Sequence, residues 1–162
     1  MFGALALAGC TELPAGSPLA NAKDSPEALA RAALDALRAG DEDRLAALMI
    51  TRDEYERLLW PALPDREQMP FDFAWSVTAP RSREARRRAV AEYEGVPLEL
   101  VRVELGEAVE RHGTFTLYRR SRMRVRRTDT GEEGLLPLMD TLVEMGGDWK
   151  FMNFVDTVRE RP

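Results

Sequence analysis

The chain of 162 residues has a single cysteine, a single histidine and few aromatic residues, 7% in all. One cysteine excludes an internal disulfide and any thiolate-rich metal site. One histidine excludes a zinc centre built from several imidazoles. No apolar run reaches the roughly 18 residues that a membrane-spanning helix needs. The sequence also lacks a Gly-rich phosphate loop and a Gly-x-Ser-x-Gly elbow, so neither nucleotide chemistry nor a serine hydrolase is indicated. A formal charge of −5 argues against general affinity for nucleic acid. What is present is a globular composition, 44% hydrophobic and 31% charged. A domain near this length buries roughly 68–70% of its unfolded surface and needs no disulfide staple.

The first ten residues, MFGALALAGC, are small and apolar and end in the only cysteine. Leu7-Ala8-Gly9-Cys10 resembles the lipobox of bacterial lipoproteins, in which a peptidase cleaves before a cysteine that carries lipid. The resemblance implies that residues 1–9 are the remnant of a signal peptide and that Cys10 is the lipidation site. No Lys or Arg precedes Cys10, so the basic start of such a signal is expected further upstream. Thr11, where an Asp would signal retention in some lineages, implies the outer membrane of the cell envelope. Residues 10–24 contain two prolines and no apolar period, and they read as a lipidated flexible linker.

A domain over 25–158 follows. Ser25-Pro26-Glu27 has the chemistry of a helix start: a hydroxyl acceptor, a ring suited to the first helical position and an acid for the dipole. Leu29, Ala33, Ala36 and Leu37 recur at helical spacing, and Gly40 suits the left-handed residue after a helix. Asp41 caps a second helix. Thr51 and Glu54 make a capping box for a third, which Pro61 ends. FDFAWS (71–76) reads as a separate aromatic segment, and Pro80 as the start of a further helix ending before Gly95.

From Val96 the pattern changes to strand formers. Leu98–Leu105, Phe115–Arg127, Leu135–Glu144 and Trp149–Asp156 read as four strands, with turns at Thr128–Gly131 and Met145–Asp148. In the second, Phe115, Leu117, Met123 and Val125 are expected on one face. Short links predict an antiparallel meander, hence an α+β domain with N-terminal helices packed on a curved sheet. Ala39-Gly40-Asp41, the long strand pair and Gly147-Asp148-Trp149-Lys150-Phe151 resemble the NTF2-like superfamily, a cone-shaped fold shared with ketosteroid isomerase. A cystatin-like α+β fold is the alternative. The resemblance implies a pocket inside the cone and a homodimer through the sheet.

Charge is uneven: residues 81–127 carry thirteen basic and seven acidic side chains between acidic flanks. Arg120, Arg122, Arg124 and Arg126 are expected as a row on one sheet face, either paired with acids such as Glu99, Asp140 and Glu144 or open to an anionic partner. His112 reads as a solvated hairpin-loop residue, and Trp60, Trp75 and Trp149 as core. Tyr118 and Asp140 are candidate pocket residues. No catalytic set, cofactor or metal site is expected. The leading expectation is a membrane-anchored envelope lipoprotein whose non-catalytic domain binds a small apolar ligand or a protein partner. The alternatives are an isomerase or dehydratase using a buried carboxylate, and an assembly module binding anionic partners through the arginine face.

Overall fold

Seven antiparallel strands and four α-helices make up the α+β fold of the computed structural model, which describes residues 17–154 apart from Pro137. Cys10 and Asp156 therefore lie outside the described residues. Local chemistry explains the first elements. Helix α1 (Pro26–Arg38) begins where the Ser25 hydroxyl accepts from the Ala28 amide. Asp41 does the same for α2 (Glu42–Ala47), accepting from Arg44 at 2.8 Å. The Thr51/Glu54 capping box opens α3 (Arg52–Glu54), which runs on into a π-helical turn (Tyr55–Leu59) and short 3-10 turns at Trp60–Ala62 and Pro64–Glu67.

The aromatic segment and the following helix are one element, α4 (Phe71–Tyr93), with Pro80 inside it. A proline costs the helix one backbone hydrogen bond and strains the preceding turn. The N-terminal half stays in line because Phe71 and Trp75 are docked against Tyr55, each at a centroid distance of 5.9 Å.

The chain runs through the sheets as a meander of four antiparallel passes, three of which bend. The expected first strand, Leu98–Leu105, covers only the first half of its pass, and residues 108–112, expected as a loop, form the second half. Each bent strand gives one half to each of two sheets. The first supplies β1 (Leu98–Glu104) and β2 (Ala108–His112), the second β3 (Phe115–Arg119) and β4 (Arg122–Arg127), the third β5 (Glu133–Leu136) and β6 (Met139–Met145). The fourth is β7 (Asp148–Phe154). The sheet orders are β1-β4-β5 and β2-β3-β6-β7, all antiparallel and open. At the bend Arg120 adopts a left-handed backbone, with φ of 60°. Ser121 knits the bend together: its amide donates to the Asp140 carbonyl at 2.8 Å, and its hydroxyl accepts from the Gly106 amide at 3.2 Å. A Cβ at position 106 would sit 1.7 Å from the Arg119 carbonyl oxygen, so the close approach of the two strands requires glycine.

The bend also exchanges faces, which corrects the expectation of one apolar face along residues 115–127. Met123 and Val125 pack with α1, α2 and α4 in a helix-side core that includes Leu29, Leu37, Leu142 and Phe151. Phe115 and Leu117 enter a second core on the opposite side of the four-stranded sheet, with Leu19, Ile50, Leu59, Leu63 and Val143. Leu19 is 1% exposed, and the Lys23 and Trp149 backbones exchange hydrogen bonds of 3.0 and 2.7 Å. The expected linker over 10–24 is thus too long, because its C-terminal part already belongs to the fold.

A buried ion pair fastens that part in place. Lys150 Nζ lies 3.1 and 2.9 Å from the two Glu54 carboxylate oxygens. The same oxygens accept from the Ala20 and Thr51 amides, both at 2.7 Å. Burial pushes the Glu54 carboxyl up, but the Thr51 amide, the Lys150 ammonium and the Ala20 amide outweigh it and hold Glu54 below the usual carboxylate range. Burial pushes the Lys150 ammonium down against the pull of Glu54.

Candidate ligand-binding cleft

Strands β2 and β3 form a hairpin in which His112 faces Phe115 and Glu110 faces Leu117. Alternation along the two strands puts Glu110, His112, Leu117 and Arg119 on one side. They lie together in the lining of a cleft of about 570 Å³. Thr141 of β6 and Met152 and Asn153 of β7 extend its floor. Tyr55, Leu63, Pro64 and Asp65 form one wall, and Thr78 of α4 closes the other. The size falls within the range of about 300–1,000 Å³ typical of small-molecule sites.

The polar groups of this cleft are ordered by one ion pair. Arg119 donates through Nε to one Glu110 oxygen and through Nη2 to the other, the second bond measuring 3.1 Å. His112 Nε2 lies 3.4 Å from Glu110, and its ring stacks on Phe115 at 5.1 Å. Arg119 holds the Glu110 carboxyl below the usual carboxylate range, with burial opposing and His112 assisting. Glu110 in turn raises the Arg119 guanidinium. Burial and the charge of Asp65 push the Tyr55 phenol up, with Arg119 opposing. The buried Asn153 Oδ1 has no hydrogen-bond partner among the described residues and is an acceptor ready for a donor. A mixed floor with Leu117 and Met152 among polar groups, a fixed ion pair, a phenol and an amide oxygen suit a small ligand with its own hydroxyl or amide donors.

No family model matches the chain, and neither the curated proteins nor the solved structures contain a match to it.

The residues singled out in the sequence are placed elsewhere. Tyr118 faces the helix-side core, with its ring 5.1 Å from Trp149. Asp140 accepts from the Thr141 hydroxyl at 2.9 Å, and neither it nor Tyr118 lines the cleft. The arginine row is broken because Arg120 sits in the bend rather than in β4. Arg124 pairs with Glu104 at 3.3 Å, and Arg126 with Glu133 at 2.5 Å and Glu99 at 3.9 Å. Asp140 and Glu144 are not their partners; the register instead puts Glu99, Glu104 and Glu133 opposite β4. His112 ends β2 rather than occupying a loop. As expected, Trp149 packs against the helix-side core and Trp60 against the second core, both half-buried, whereas Trp75 belongs to a half-buried aromatic group with Tyr55 and Phe71.

The Glu110–Arg119 pair escaped sequence reasoning because β2 is short and polar. Its signal was the alternation of residues 108–112 directly before a Gly113 turn. Among the described residues there is no cluster of three metal-ligating side chains, and no helix is long and apolar enough to cross a membrane.

Proposed function

We propose that the chain is an envelope lipoprotein, anchored through Cys10, whose NTF2-like domain binds a small organic ligand without transforming it. The observation that carries the binding role is the cleft of about 570 Å³ on the Leu117 face of the four-stranded sheet. A meander bent around helices supports the likeness to the NTF2 cone, and Leu7-Ala8-Gly9-Cys10 ahead of a Pro-containing tether supports the anchor. Binding is favoured over isomerase or dehydratase chemistry by the state of Glu110. A carboxylic acid or base working near neutrality needs its carboxyl raised toward the working pH, whereas Arg119 moves Glu110 the other way. The assembly reading is disfavoured because Arg124 and Arg126 already have glutamate partners.

The test is a thermal-shift screen of the full-length chain in mild detergent against small polar and aromatic metabolites. A ligand at 100 times its Kd stabilises by about 2.7 kcal/mol, a rise of roughly 5–10 °C. The expected hit loses its effect in Arg119→Met. A screen with no hit, or a hit indifferent to Arg119→Met, overturns the assignment of the cleft. Anchoring is checked separately: Cys10→Ala should move the protein from the membrane fraction to the soluble one.

A further inference from the structure

On the other side of Thr78 and Met152 lies a smaller cleft of about 160 Å³, between α4 and the junction of α2 with α3. Trp75, Thr78, Ser82 and Arg86 reach it from one face of α4 at spacings of three and four residues, and Arg83 lines it beside Ser82. Arg52 approaches from α3. Three arginines thus line the cleft, and its lining includes no carboxylate.

The arginines are not all satisfied by the protein. Arg86 pairs through Nη2 with Glu42 at 3.2 Å, and its Nη1 lies 3.5 Å from the Met49 sulfur. Its Nε is buried with no acceptor among the described residues. Arg52 is held by Asp72 at 2.5 Å and lies over the Phe71 ring at 5.2 Å. Arg83 has no acidic partner within ion-pair distance among the described residues. A buried guanidinium N–H without an acceptor is costly, and such orphans often mark a site for an ion. The volume is several times the roughly 30 Å³ of one water and fits one compact oxyanion. Planar guanidinium forks match phosphate oxygens in pairs, which a strongly hydrated ammonium does not do.

We infer that the Arg52–Arg83–Arg86 cleft is a binding site for one phosphate group, with the exposed Arg83 guanidinium and the incompletely paired Arg86 as its donors. The site does not depend on the larger cleft holding a ligand. The phosphate is either a free ion or the headgroup of an anionic lipid, and two assays separate these sources. Phosphorus NMR titration and calorimetry of the full-length Cys10→Ala chain use inorganic phosphate. Co-sedimentation of the same chain, now without its lipid, uses phosphatidylcholine vesicles with and without phosphatidic acid.

Saturable binding of one inorganic phosphate, weakened at least about tenfold by Arg86→Met, supports the site with a free ion as its source; that is the loss expected for a charge-assisted hydrogen bond. Sedimentation that needs phosphatidic acid and Arg86, without binding of inorganic phosphate, supports it with a headgroup. Arg83→Glu is exposed and leaves the core untouched, so it repeats the test if Arg86→Met fails to fold. Arg124→Met, on the sheet, should bind like the parent. No binding in either assay, or binding that ignores both cleft variants, overturns the inference.

Discussion

Replacing Lys150 by Met removes the only cation that faces the buried Glu54 carboxylate among the described residues, while keeping a side chain of similar length. Two hydrogen bonds, of 3.1 and 2.9 Å, disappear, and the Ala20 and Thr51 amides remain. Breaking one side of a buried pair typically costs about 3–5 kcal/mol. Glu54 has an escape, because it can take up a proton. Its ordinary pKa is 4.5, so protonation at pH 7 costs about 3.4 kcal/mol, at 1.36 kcal/mol for each unit. That sets a ceiling on the charge penalty, and the expected loss at pH 7 is about 3 kcal/mol. At pH 5 the same escape costs only about 0.7 kcal/mol, so most of the loss should vanish. Urea unfolding at the two pH values, followed by far-ultraviolet circular dichroism, measures both numbers. Thermal midpoints should fall by roughly 10 °C at pH 7. The double variant Glu54→Gln/Lys150→Met should recover at least half of the loss, because no charge then remains buried. A loss below about 1 kcal/mol at pH 7, or an equal loss at both pH values, would refute the charge argument and leave packing as the cause.

Gly106→Ala should cost about 1–3 kcal/mol, since its Cβ would overlap the Arg119 carbonyl; Gly134→Ala, in open space, should cost nothing measurable in the same urea experiment. The Tyr93 phenol is pushed up to about 12 by burial and by Glu92. Its raised value favours the folded state below pH 10, and this contribution should be lost as pH rises from 10 towards 12. Tyr93→Phe should flatten that alkaline decline, as read from stability against pH. Unchanged curvature in the variant would remove Tyr93 as the cause.

Local signals made the helical half readable. Ser25, Asp41 and the Thr51/Glu54 box act within three residues, so their chemistry is visible in the chain itself. The turns at Thr128–Gly131 and Met145–Asp148 were equally local. The bends were hidden because nothing in the residue types marks them. Arg120 takes a left-handed backbone that glycine would have advertised, and apolar residues continue at odd positions through the bend even though the faces change sides. Pro80 misled for the opposite reason: its local preference for a helix start was overridden by the docking of Phe71 and Trp75 on Tyr55. The cleft could not be read at all. Its lining comes from seven separate segments, brought together by sheet register and by the path of the 3-10 turns.

The exchange of faces at residues 120–121 bears on how the molecule comes apart. One continuous strand carries Leu117 into one core and Met123 into the other, and the neighbouring strand does the same with Val143 and Leu136. Melting either core therefore frees the backbone that holds the other in register. Two cores on opposite sides of a sheet would ordinarily form separate opening units. Here, amide hydrogen exchange should find the Leu117 and Met123 amides opening at the same free energy, and the protein unfolding in one step.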